Sequence, residues 1–368
     1  MRKLFSLVML FALVAAGCTT PTAPAAPSQP AAPAAQPTRA PQPTAAPAVQ
    51  PITLQILDPG AAGSGRPAVV EWWGKTIQEK TNGRVQFKFH FAGALAGSNK
   101  SLEAINTGVA DGGAVWPIYY PSNMPMALTF GAPFATPGDA RKTLVLAHKL
   151  LKEDVLQKEF DKNNLVPLAP LGQMSYQVFV KKPFETVDGF KGIKIRAGGP
   201  PWPDIMKAVG GTNVSLSGPE TYEAVQRGTV DGTLGAYDAW SNLRWYEVAP
   251  YALQWDVGAP VLGWLALNKD TWNKISPADR KIILDVSDMV PDQLAKQFDD
   301  EMAPNMKKMQ AEGAKVVEIS AAERAKLKAL AVPAVKAWAA SVEKERGAPV
   351  TAYLDRLLQL AEAANSGK

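Results

Sequence analysis

From Ile52 the chain alternates apolar and polar positions through Leu57, a strand pattern that stops at Asp58-Pro59-Gly60. A helical spacing follows over Pro67–Thr81 and is closed by Asn82-Gly83. Val85, Phe87, Phe89 and Phe91 then fall on every second position of a strand over Arg84–Phe91. Strand and helix signals therefore alternate. That order predicts an α/β fold with largely parallel sheets, whose ligand crevices lie outside the carboxyl ends of the strands.

One pattern occurs twice. Leu102-Glu103-Ala104-Ile105-Asn106-Thr107-Gly108-Val109-Ala110-Asp111-Gly112 is echoed, five positions in eleven being identical, by Tyr222-Glu223-Ala224-Val225-Gln226-Arg227-Gly228-Thr229-Val230-Asp231-Gly232. Each copy reads as a helix stopped by a left-handed glycine and followed at once by a strand that opens with Asp-Gly. The second copy carries a capping-box start, Ser217 with Glu220, and Pro219 in the first turn. A spacing of 120 residues is too long for a solenoid. It leaves two lobes of similar design, or chance recurrence of a common helix-Gly-strand unit.

The C-terminal third is helical in pattern. A helix starting at Ser276-Pro277 puts Ile282, Val286, Met289, Leu294, Phe298, Met302, Met306 and Met309 on about one face, as core packing, with a kink expected at Pro291. Lys315–Ile319 reads as a strand, Ser320 with Glu323 as a capping box, and Val350–Ala364 as a last helix.

The first fifty residues differ in kind. Arg2 and Lys3 precede a stretch from Leu4 to Gly17, apolar except for Ser6, too short to span a bilayer and right for a secretory signal. Ala15-Ala16-Gly17-Cys18 resembles a bacterial lipobox, which makes Cys18 the expected lipidation site and 1–18 a lipoprotein signal peptide; the rival is an ordinary secreted protein with an idle thiol. Residues 19–50 hold 9 Pro and 11 Ala, with Pro21, Pro24, Pro27, Pro30 and Pro33 on a three-residue repeat. This is the polyproline II period, so the segment reads as an extended tether. The expected place of the protein is the periplasmic or extracellular face, anchored to a membrane by lipid.

Composition narrows the function. With 46% hydrophobic and 20% charged residues, residues 51–368 can build a core. The net charge of +5 drops to +2 for 51–368 once Arg2, Lys3 and Arg39 are set aside, so no nucleic-acid partner is expected. A single Cys with His90 and His148 makes neither a disulfide framework nor a zinc cage, and no metal or cofactor is expected. Gly60–Pro67 mimics a phosphate loop without its Lys and Ser/Thr, no Ser sits in a nucleophile elbow, and Asp299-Asp300-Glu301 reads as a solvated face. The chain is expected not to be an enzyme; an exported hydrolase and an adaptor lipoprotein are the alternatives.

Lys191-Gly192-Ile193-Lys194-Ile195-Arg196 reads as a short strand ending in Arg196 and running into Ala197-Gly198-Gly199-Pro200-Pro201. An Arg there faces a crevice and can hold a carboxylate bidentately, or it makes a surface ion pair. Aromatic residues gather in the same regions: Trp116, Tyr119, Tyr120, Trp202, Tyr237, Trp240, Trp255 and Trp264.

From Ala92 to about Leu284 the chain resembles the solute-binding proteins of tripartite ATP-independent periplasmic (TRAP) transporters, of the DctP type. The resemblance rests on Ala94-Leu95-Ala96-Gly97, Gly108–Gly112, Gly131-Ala132-Pro133-Phe134, Lys191–Arg196, Glu223–Gly232, Tyr246-Glu247-Val248-Ala249 and Asn268-Lys269-Asp270-Thr271-Trp272, in that order. It implies a two-lobed periplasmic-binding-protein-like fold with a hinge and a long helix spanning both lobes. Lobe 1 would be 51–173 plus 263–300, and lobe 2 174–262 plus 301–368. It implies capture of an organic acid in an interlobe cleft and delivery to TRAP membrane permease subunits, with Arg196 holding the carboxylate. Where some branches carry Glu-Asn after Asp-Gly, this chain has Leu234-Gly235; Tyr237-Asp238 match the aromatic-acid pair of another branch. The expected ligand set is Arg196, Tyr237, Trp116, Asn99, Trp202, Asp238 and Trp240.

Overall fold

The computed structural model describes residues 50–367 apart from Ser64, Ser217 and Pro219. The signal segment, the tether, Cys18 and the Ser217/Pro219 part of the second helix start lie outside the described residues. Eleven strands are described: β1 Ile52–Leu57, β2 Val85–His90, β3 Gly112–Val115, β4 Leu165–Gly172, β5 Tyr176–Val180, β6 Lys194–Arg196, β7 Thr212–Val214, β8 Gly232–Ala236, β9 Tyr251–Gln254, β10 Val261–Asn268 and β11 Lys315–Glu318. They form two sheets, ordered β2-β1-β3-β10-β4 and β11-β9-β5-β8-β6-β7.

Each sheet is parallel except for one strand. β10 runs against β3 and β4 in the first sheet, and β5 runs against β8 and β9 in the second. These two strands follow directly on crossings between the sheets, at 173–175 and 255–260. The crossing segments are tied to each other by Gln173 N–H to Pro260 O at 2.9 Å and Tyr176 N–H to Gly258 O at 2.9 Å. Two adjacent, hydrogen-bonded connections of this kind can bend together, which is what a hinge between two lobes needs.

The repeated sequence pattern has one structural cause in both lobes. Gly108 and Gly228 both take φ +76 at the ends of the helices Ser101–Asn106 and Thr221–Gln226. Beyond them, Asp111 locks onto the neighbouring strand through its own N–H to Gln55 O and its Oδ2 to Gln55 N–H, both 2.8 Å. Asp231 repeats this on Lys194, again at 2.8 Å twice. The glycine after each Asp is required by space, since a Cβ at Gly112 would lie 2.6 Å from Ala266 O and one at Gly232 2.2 Å from Phe179 O. The echo is therefore a strand-docking device used once per sheet.

The C-terminal helices depart from expectation in one respect. The span from Ser276 to Met309 is two helices, Pro277–Ser287 and Val290–Ala311, and Pro291 stands in the first turn of the second instead of kinking a continuous one. Proline's missing N–H is harmless in a first turn, so the break falls before it. The break turns Met289 out to solvent, 48% exposed, while Val286, Leu294, Phe298 and Met309 are buried as the stripe requires. Helix Val290–Ala311 does join both lobes: Leu294 and Phe298 pack in the core around Trp73, and Met309 in that around Phe179, Trp240 and Trp245. Glu301, read as part of a solvated face, instead accepts from Gly65 N–H at 2.7 Å and holds the start of helix Gly65–Lys80.

Ser320 caps helix Ala321–Arg346 through Glu323 N–H, but the Glu323 carboxylate is diverted to Val187 N–H at 2.7 Å. The last helix, Val350–Asn365, sends Tyr353 toward Phe130 and Arg356 onto Glu153 of the first lobe, and pairs Glu362 with Lys328 and Asp355 with Lys336 of helix Ala321–Arg346. His90 bonds Gln55 at 2.7 Å and His148 bonds Asp288 at 2.8 Å; both are structural in their contacts. Among the described residues no helix is long and apolar enough to cross a membrane, and no group of His, Cys, Asp and Glu could hold a metal.

Glu159 makes a testable contribution to the first lobe. Its carboxylate accepts from Met126 N–H at 2.7 Å and Ala127 N–H at 2.8 Å at the start of helix Pro125–Leu128. Burial pushes its pKa up from 4.5 to about 7, against the pull of those two N–H groups. The folded state thus binds this proton more tightly than the unfolded chain, and stability from this group is lost as pH rises from 4.5 through about 7. In urea titrations the stability of wild type relative to Glu159→Gln should fall by about 3 kcal/mol across that window; a pH-independent difference would show that Glu159 is ionised throughout.

Candidate ligand-binding cleft

A cavity of about 760 Å³ lies between residues of both lobes. Ser98, Trp116, Ile118 and Leu128 line it from the first, Leu262 from the crossing strand β10, and Tyr176, Arg196, Gly199, Trp202, Ser215 and Glu220 from the second. The parallel strands build it as such sheets do: Trp116 follows the end of β3 and Arg196 is the last residue of β6, so both stand at carboxyl ends of strands. The loop after β6 turns through Gly199 at φ +69, where a Cβ would sit 3.1 Å from Ile118 Cδ1 of the opposite lobe.

Arg196 is half-buried. Its Nε donates to Leu216 O at 2.9 Å and its guanidinium lies 5.8 Å from the Trp245 ring centroid. Burial lowers its pKa from the ordinary arginine value, while Tyr176, Tyr119 and Glu220 act the other way. It stays cationic and carries an electrostatic cost that an anion in the cavity would relieve. Tyr176 sits beside it with its hydroxyl donating to Gln173 Oε1 at 2.7 Å, and burial pushes its phenol well above the usual range.

Of the residues expected at a ligand, Trp116, Arg196 and Trp202 share this cavity. Asn99 lies next to the lining residue Ser98, in the turn Ser98–Lys100, without lining the cavity itself. The structure places the other three elsewhere. Trp240 is fully buried, stacked on Phe179 at 4.9 Å with its indole N–H on Ala249 O, which makes it core. Tyr237 is 8% exposed and receives Gln254 Nε2 at 3.3 Å, and burial pushes its phenol up to about 12. Asp238 opens the helix Tyr237–Asn242, and its Oδ1 is buried with no partner among the described residues. Burial raises its carboxyl, offset by Ala239 N–H and by the charge of Arg66. Of the remaining aromatics, Tyr119 lines the cavity, Trp255 and Trp264 are core, and Tyr120 bonds Leu102 N–H and Ser98 O.

The sequence reading missed Ile118 in the turn Pro117–Tyr119, Glu220 at the start of helix Thr221–Gln226, and Tyr176, Leu262 and Trp338, which reach the cavity through the crossing strands and the long helix Ala321–Arg346. It also missed Arg66. Asp58 holds this side chain in two bonds of 2.7 and 3.1 Å, and its guanidinium lies 4.6 Å over Trp116. Burial disfavours its charge, and Asp58 more than offsets that, so Arg66 titrates above the ordinary arginine value. A second cavity, about 580 Å³, lies at Trp255, Asp256, Arg324 and Lys328, but there Arg324 is paired with Asp256 and Lys328 with Glu362.

Residues 65–341 match the model of a known family: bacterial extracellular solute-binding protein, family 7, DctP. The chain belongs to this family. Solved structures of TRAP periplasmic solute-binding proteins share its fold. One from Desulfovibrio salexigens DSM2638 superposes with a TM-score of 0.76 at 22% identity, covering 86% of this chain and 97% of that one. Another from Desulfovibrio salexigens, with bound orotic acid, gives 0.71 at 23% over 86% and 99%. One from Pseudomonas putida F1, with bound D-glucuronate, gives 0.66 at 22% over 83% and 96%. The family and these neighbours are binding proteins, and the two-lobed fold expected from the sequence is the fold observed.

Proposed function

We propose that this family 7 protein is the receptor of a TRAP transporter, which captures an organic acid in the cleft at Arg196, closes on it by bending at 173–175 and 255–260, and presents the closed form to membrane permease subunits. The observation that carries the reading is Arg196, cationic and half-buried at the end of β6 in a cavity walled by both lobes. Acids bound by structural neighbours, orotic acid and D-glucuronate, agree with it. The lobes are taken as 51–173 with 263–300 and 174–262 with 301–368, the last helix leaning on the first.

Closure follows from where the contacts lie. Arg196 and the Gly198-Gly199 loop belong to the second lobe, Trp116, Ile118 and Leu128 to the first, and a ligand that touches both binds the closed state better than the open one. A charge-assisted bond supplies about 1.5–3 kcal/mol, whereas micromolar binding needs about 8 kcal/mol, so apolar burial from both lobes must provide the rest. Asn99, Tyr237, Asp238 and Trp240 act behind this contact surface, supporting it. Cys18 carries the lipid and 19–50 serve as the tether, which keeps the receptor on the periplasmic or extracellular face of a membrane.

Thermal-shift screening of the purified protein against organic acids tests the receptor reading. An acid at 100 times its Kd should add about 2.7 kcal/mol of stability. If no acid moves the transition and the protein turns over an ester or amide instead, the reading fails in favour of a hydrolase.

A further inference from the structure

We infer that the acid taken by this cleft is a monocarboxylate with an apolar, ring-sized body; this rests on the receptor reading above and names its substrate class. Charge comes first. Among the described residues that line the cavity, Arg196 is the one basic side chain, and Glu220 is the one acid. Arg196 can neutralise one carboxylate. The other deeply placed cation nearby, Arg66, is held by Asp58 and covered by the Trp116 ring, outside the lining. A second carboxylate on the ligand would be stripped of water in a closed cleft with Glu220 in the same wall and no second cation.

Apolar side chains make up the larger part of the remaining wall, beside the hydroxyls of Ser98, Tyr119, Tyr176 and Ser215. Trp116, Ile118, Leu128 and Leu262 face Trp202 and Leu234 across the space. Several polar groups there are already engaged: the Tyr176 hydroxyl donates to Gln173, and Arg196 Nε donates to Leu216 O. A sugar acid would set several of its hydroxyls against the apolar part of this wall, beyond reach of Ser98, Tyr119 and Ser215, and each one buried without a partner weakens binding. An apolar body brings none. Size agrees, because about 760 Å³ is ample for a ring and its side chain and leaves a four-carbon diacid in contact with only part of the wall.

Isothermal titration of the purified full chain with 3-phenylpropionate, succinate and D-glucuronate tests this. We expect 3-phenylpropionate to bind at least about 100-fold more tightly than either of the others, as a wall of this polarity discriminates. Leu262→Asn should weaken 3-phenylpropionate by about tenfold or more and narrow its lead over D-glucuronate. Tighter binding of succinate or D-glucuronate would overturn the substrate class and leave the receptor reading standing. Failure of all three, and of a wider acid panel, would overturn both.

Discussion

Replacing Arg196 by Gln should abolish or severely weaken acid binding while leaving the fold intact. The lost charge-assisted contact is buried in the closed cleft, where removing one partner of such a pair costs about 2–5 kcal/mol. The structural cost is far smaller, because the side chain's bond to the fold is Nε to Leu216 O and its guanidinium otherwise lies over Trp245. The unfolding free energy from urea titration should therefore change by no more than about 1 kcal/mol. Arg196→Lys should fall between the two, keeping the charge and losing the planar pair of donors. Titration calorimetry on a bound acid decides it: an affinity unchanged in Arg196→Gln would remove this residue from the site and with it the proposed orientation of the ligand.

The largest effect on folding is expected at Gly113. It sits in β3 opposite Leu57 of β1, with φ +143, and a Cβ there would lie 2.0 Å from Leu57 O and 2.8 Å from Leu57 N. Backbone atoms cannot swing aside as a side chain can, so Gly113→Ala must break the parallel pairing of β1 with β3 at the centre of the first sheet. We expect a loss of more than about 4 kcal/mol, seen as insoluble protein or a collapsed denaturation midpoint. Gly108→Ala is the control. That residue also has positive φ, +76, but open space around it, and it should cost only about 1 kcal/mol. Equal effects at the two sites would mean that conformational strain, not the clash with Leu57, sets the requirement.

Both residues show how far local pattern reaches in this chain. Gly108 and Gly228 were readable as left-handed stops because a helix period ends on them. The need for glycine at 112 and 232 was visible only as repetition; its cause is the carbonyl of a strand far away in the chain, at Ala266 and Phe179. Arg196 was legible because a three-residue strand and a Gly/Pro loop bracket it. Tyr237 and Asp238 were grouped with it by the family resemblance and Trp240 by residue type, yet they occupy a helix whose aromatic face packs on Phe179 and faces the core.

The sequence by itself determined the alternation of strands and helices, the duplicated helix-Gly-strand unit, the Arg at a strand end and the unusual character of the first fifty residues. These are written in runs of ten or so neighbouring residues, where period, caps and turn chemistry act. Which strands exchange between sheets, where the long helix breaks, that Glu301 holds the start of a helix and that Arg66 lies over Trp116 were decided only in three dimensions. Each joins partners far apart in the chain, and such pairings are selected by the space and charge left when the whole core closes, which no local stretch of residues encodes.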